Sequence, residues 1–139
     1  MPKLNRRTSA VAEVPAADSE GALAHFSAML RFEADCWDVN DATMNGPQDF
    51  VLVDVRGPSV FEREHIPGAV NLPYGRTVER NLAEYPDDTL FVIYGAGPHC
   101  NAIEKAAVRL AKLGRPFKKM IGGVEGWRHE GFDIVTTTP

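Results

Sequence analysis

The chain has 139 residues, 44% hydrophobic and 24% charged, with a net charge of −4: enough for one cored domain and too short for two. That acidic balance, with pI near 5.5 and no concentrated basic stretch, argues against nucleic acid or an anionic membrane as the main partner. No apolar run approaches the roughly 18 residues that a membrane span needs, and residues 1–17 lack the continuous apolar stretch of a signal peptide.

Residues 1–17 are rich in Ala, Pro and Ser, with few large apolar groups to order them, and read as a disordered tail. Asp18 or Ser19 caps a predicted helix carrying Leu23, Phe26, Met29 and Leu30 at helical spacing. It ends near Glu33 and makes an N-terminal extension over residues 18–35, ahead of a domain expected over 36–135. Cys36-Trp37-Asp38-Val39 is too short to be decisive and is compatible with a brief edge strand, with Val39 to Asn45 forming a turn of helix before Gly46-Pro47. Phe50-Val51-Leu52-Val53-Asp54-Val55 is the clearest strand, apolar on both faces and β-branched, as a central parallel strand should be.

Pro58 opens a short helix through Glu64, and Ala69-Val70-Asn71-Leu72 reads as a second strand closed by Pro73. Residues 77–85 are predicted helical, and Leu90-Phe91-Val92-Ile93-Tyr94 is another buried strand. After Gly95-Ala96-Gly97-Pro98, a helix from about Asn101 to Leu113 aligns Ile103, Ala106 and Leu110, with Gly114 beyond its end. Residues 117–121 form a last short strand, and Gly122-Gly123 turns into a helix carrying Trp127; Trp37 and Trp127 are both expected in the core. Strands alternate with helices throughout. The expected fold is α/β, a roughly five-stranded, mainly parallel sheet with helices on both faces.

In such sheets ligands bind beyond the carboxyl ends of the strands, where loops enter helices. The best candidate is the loop from Gly95 to Asn101, whose glycines allow close backbone approach and whose amides, before a helix, favour an anion. Pro98 removes one of those donors. A phosphatase loop would need a cysteine at its start and an arginine at its end, whereas this one starts at Gly95 and meets no Arg before Arg109. Four histidines and two cysteines show no paired zinc-ligand spacing, and Gly122-Gly123 lacks the full nucleotide-binding glycine pattern. No metal and no cofactor are expected. Cys36 and Cys100 make no secreted disulfide framework, so the expected compartment is cytoplasmic with both thiols reduced.

Four ordered blocks then carry a resemblance: Val51-Leu52-Val53-Asp54-Val55-Arg56, the run from His65-Ile66-Pro67-Gly68 to Pro73, the strand, loop and helix over residues 91–107, and the run from Ile121-Gly122-Gly123 to Trp127. Together they resemble rhodanese-like domains over roughly residues 36–135. The resemblance implies sulfur transfer from thiosulfate-like anions or protein persulfides, through a cysteine persulfide formed directly after the strand that ends in tyrosine. Here Tyr94 is followed by Gly95, which cannot hold sulfur, while Pro98, Cys100 and Asn101 match a subset with a second cysteine. By the same resemblance Ala96, Gly97 and His99 complete a substrate-binding loop, and cysteine at position 95 would restore the chemistry.

Two readings of Cys100 follow. In one it is a small thiol packed against the helix start; in the other it has become the nucleophile, aided by the helix terminus and His99. Its place at the rim of the loop favours the packing reading. At the level of function, a sulfurtransferase-fold protein with lost or relocated persulfide chemistry stands beside a non-catalytic module that binds a protein partner or a small anion. Asp54 and Arg56 are expected to fix loops rather than act on substrate, and His65 to fasten the turn that follows it.

Overall fold

A computed structural model describes residues 7–137, in two units, the first ending at Leu30 and the second beginning at Arg31. The first contains helix α1 (Ala10–Glu13), capped by the Ser9 hydroxyl, and most of α2 (Ser19–Phe32). The Asp18 carboxylate accepts the Gly21 amide at 2.8 Å, which satisfies one of the free donors at the start of α2.

In the second unit β1 (Glu33–Ala34), β2 (Val51–Asp54), β4 (Val70–Asn71), β5 (Phe91–Tyr94) and β6 (Phe117–Met120) form one parallel sheet, ordered β1-β6-β5-β2-β4. An antiparallel ribbon pairs β3 (Glu64–His65) with β7 (Val135–Thr136). The helices are α3 (Cys36–Asn45), α4 (Pro58–Arg63), α5 (Glu79–Leu82), α6 (Ala102–Lys112) and α7 (Gly123–His129), with a 3-10 turn at Tyr74–Arg76. No helix among the described residues is long and apolar enough to cross a membrane.

The period of two along the strands sends alternate residues to opposite faces. Leu52, Val92, Tyr94 and Met120 pack with Val39 of α3 and Trp127 of α7. Val53, Val55, Phe91 and Ile93 pack with Leu82 of α5 and Ile103 and Leu110 of α6. Both faces are covered, which is why β2 and β5 read as continuous apolar runs.

Three local expectations are corrected. Residues 36–39 are the start of α3 and not a strand, because the Asp35 carboxylate accepts the Asp38 amide at 2.7 Å and caps a helix there; the edge strand lies just before it at Glu33–Ala34. On that helix Cys36 and Val39 turn inward, and Trp37 is left 59% exposed instead of in the core. The helical stretch expected over 77–85 shrinks to the short α5, Glu79–Leu82, preceded by a 3-10 turn that lies before it at Tyr74–Arg76.

Candidate functional site

Parallel β2, β5 and β6 bring their carboxyl ends to one edge of the sheet. Loop 95–101 leaves β5 there, and α7 clamps it from the side. The Val124 amide donates to the Gly95 carbonyl and the Glu125 amide to the Ala96 carbonyl, both at 2.9 Å. This approach needs glycine at position 123, where φ is +59° and a Cβ would stand 2.5 Å from the Gly95 carbonyl oxygen. Gly97 is less confined: a Cβ there would lie 2.7 Å from the Glu125 carboxylate, the exposed end of a side chain that can move. The Gly97 carbonyl accepts the Cys100 amide at 3.1 Å, while the amides of Ala96, Gly97 and His99 meet no acceptor among the described residues.

Position 95 is approached closely by side chains of the neighbouring core. Gly95 is buried and has an ordinary backbone conformation, but a Cβ there would lie 3.1 Å from Ile103 Cγ1 and 3.9 Å from Val55 Cγ2. Ile103 is only 3% exposed and belongs to the core cluster on that face. It also lines the cavity on which Cys100 sits.

The two thiols differ sharply. Cys36 is 7% exposed, packs into the core, and donates a weak hydrogen bond to the Ile121 carbonyl at 3.4 Å. Burial first, then the charges of Asp35 and Glu130, push its thiol up to about 11. Cys100 is half-buried and joins neither core cluster. It lines a cavity of about 210 Å³ with Gly97, Pro98, Lys119, Gly122 and Gly123. Lys119 and Glu104 both line this cavity and pair with each other at 3.2 Å, so its wall carries an ion pair. Alkylation with limiting iodoacetamide at pH 8 should therefore fall on Cys100 and spare Cys36, as peptide mapping would show. The raised Cys36 value also gives a sign: its neutral form is favoured by folding, so that stabilisation is complete below pH 9 and lost as pH rises toward about 11.

Of the candidate site residues read from the sequence, Gly97 and Cys100 line this cavity. Gly95 and Ala96 lie in the loop but off the cavity wall, and Asn101 heads α6 without a side-chain cap bond. His99 is exposed and faces Glu125 at 3.4 Å. Lys119 was missed by sequence reasoning. Its signal was its place near the carboxyl end of a strand beside β5, where parallel sheets build their sites.

Asp54 and Arg56 are architectural. The fully buried carboxylate accepts the Arg56 backbone amide at 2.9 Å and its Nη2 at 2.8 Å, while Nη2 also donates to the Glu64 carbonyl at 2.6 Å. Tyr94, whose hydroxyl accepts the Ile66 amide at 3.1 Å, is held far above its usual pKa by burial and then by the Asp54 charge. His65 contacts the Phe61 carbonyl through Nδ1 at 2.8 Å and stacks on the Phe61 ring. It fastens the end of α4.

The family model of the rhodanese-like domain matches residues 38–130. The chain is 36% identical over 92 residues to the HTH-type transcriptional regulator Rv0324 of Mycobacterium tuberculosis, covering 66% of this chain and 40% of that protein. It therefore spans less than half the length of that relative. Thiosulfate sulfurtransferase PspE of Escherichia coli is 31% identical over 75 residues, 52% of this chain and 69% of that protein. Among solved structures, the BH2092 protein of Bacillus halodurans superposes with a TM-score of 0.83 at 31% identity, covering 86% of this chain and 88% of that one.

Proposed function

The chain belongs to the rhodanese-like domain family, and from that premise we propose that it handles sulfur through Cys100 instead of position 95. The observation that carries the reading is the placement of Cys100: a half-buried thiol outside both core clusters, on a cavity it shares with the loop glycine Gly97 and with Lys119. Cys100 also stands just before α6, whose amino end favours negative charge.

The Cys100 thiolate attacks the outer sulfur of a thiosulfate-like donor. The donor's sulfur–sulfur bond breaks, sulfite leaves with the bonding pair, and Cys100 holds a persulfide. A thiophilic acceptor then takes the outer sulfur and releases the thiolate. Lys119 supplies charge for the anionic donor, and the loop amides supply hydrogen bonds.

Thiocyanate formation from thiosulfate and cyanide tests this. The natural chain and Cys36→Ser are expected to form it at the same rate, and Cys100→Ser to fall to the uncatalysed background. Equal rates with and without the Cys100 thiol would contradict the proposal. A second reading, a module that binds an anion or partner without turnover, draws on the Ile103 side chain beside Gly95. It predicts no thiocyanate from any of the three proteins.

A further inference from the structure

The solvent-facing stripe of α6 from Lys105 to Lys112 has a charge pattern that the fold does not use. A groove of about 590 Å³ is lined by Lys105, Val108, Arg109 and Lys112 of α6, with Tyr74 opposite and Glu104 at one side. The three cations recur at helical spacing on the face of α6 turned away from the buried Ile103, Ala106 and Leu110. None of them has an ion-pair partner among the described residues, and the single acid, Glu104, is engaged by Lys119. Their charge stands on a chain whose net charge is −4, so this face is a local reversal of sign. The floor is partly apolar: Val108 is 53% and Tyr74 37% exposed, and the Lys105 ammonium sits 5.1 Å over the Tyr74 ring.

Glu104 lines both this groove and the Cys100 cavity, so the two share a wall. The groove is also far larger than the cavity, more than a small sulfur anion needs.

We propose that the α6 groove docks an acidic, partly apolar segment of the protein that exchanges sulfur with Cys100. This rests on the sulfur-handling reading of Cys100. Charge complementarity selects an acidic segment, and the apolar floor selects a peptide over a nucleic acid strand, whose binding would rest on a longer phosphate track. In the exchange the partner's thiolate attacks the outer sulfur of the Cys100 persulfide, the Cys100 sulfur–sulfur bond breaks, and the Cys100 thiolate leaves, with no net oxidation.

The probe is a fluorescein-labelled hexapeptide, Glu-Asp-Leu-Glu-Asp-Cys, with a Lys-Lys-Leu-Lys-Lys-Cys peptide and a thymidine hexanucleotide as controls. Anisotropy reads binding to the full chain, and mass spectrometry reads sulfur passing from thiosulfate-loaded Cys100 to the peptide thiol. The acidic peptide is expected to bind best and accept sulfur fastest. Lys105→Glu/Arg109→Glu/Lys112→Glu should weaken its binding about tenfold or more, and the corresponding triple glutamine variant less, with loading of Cys100 by thiosulfate unchanged. Equal peptide binding by the natural chain and both variants, or tighter binding of the oligonucleotide, would overturn the docking surface. Peptide binding that depends on the three cations, beside a Cys100 that takes no sulfur, would overturn the sulfur-exchange role instead.

Discussion

Gly95→Cys, made in a Cys100→Ser background, is expected to load little or no sulfur from thiosulfate, and adding Ile103→Ala is expected to make position 95 loadable. The backbone at Gly95 is not the obstacle, because it lies outside the positive-φ region. The obstacle is Ile103, whose Cγ1 would stand 3.1 Å from the new Cβ even before a sulfur atom is added beyond it. Cγ1 is near the root of the side chain and the residue is 3% exposed, so Ile103 itself must give by a few tenths of an ångström to admit the new side chain. Overpacking of this kind costs about 1–3 kcal/mol. The single variant should therefore melt earlier than the parent, and the Ile103→Ala version should load one sulfur removable by dithiothreitol. If Gly95→Cys alone loads as fully as the version with Ile103→Ala, Ile103 yields freely and does not close the position.

Asp54→Ala is expected to cost about 3–5 kcal/mol, because it strands the Arg56 guanidinium in a site where that side chain is 9% exposed. The carboxylate holds both the Arg56 backbone amide and its guanidinium, so its loss also frees the segment that leads into α4. On a domain of this size the melting temperature should fall by about 10–20 °C. Asp54→Leu combined with Arg56→Met should recover much of that loss, since a buried pair contributes less than the penalty of breaking it. A double-mutant cycle by thermal melting checks this. Additive losses for the two single substitutions would show that the pair is not coupled.

Much of the fold was legible because β2 and β5 are covered on both faces, so their sequences carry unbroken β-branched apolar runs that exclude other readings. The helix bearing Ile103, Ala106 and Leu110 announced itself by its period. The edges were less readable. β1 pairs only Glu33 and Ala34 with β6, too few residues to show a period, and the Asp35 cap that starts α3 sits inside a run whose composition suits strand or helix. The β3–β7 ribbon joins residues far apart in the chain and leaves no local mark.

At the candidate site, the resemblance pointed to loop 95–101 and to Cys100 as the thiol within it. What it could not supply was tertiary. Ile103 reads in the sequence as one more apolar position on a helix stripe, and only the packing of α6 turns it toward Gly95. Lys119 lies in a strand with no glycine or cysteine beside it, and it reaches the Cys100 cavity because β6 pairs with β5. Trp37 shows the limit of composition: an aromatic residue belongs to the core only if its helix face does, and the inward face of α3 belongs to Cys36 and Val39.

The most direct measurement is the intact mass of the reduced protein after incubation with thiosulfate, beside Cys100→Ser and Cys36→Ser. One added sulfur atom, removable by dithiothreitol, present in the natural chain and in Cys36→Ser and absent from Cys100→Ser, is the predicted result. No added sulfur in the natural chain, or sulfur that persists in Cys100→Ser, would contradict the account.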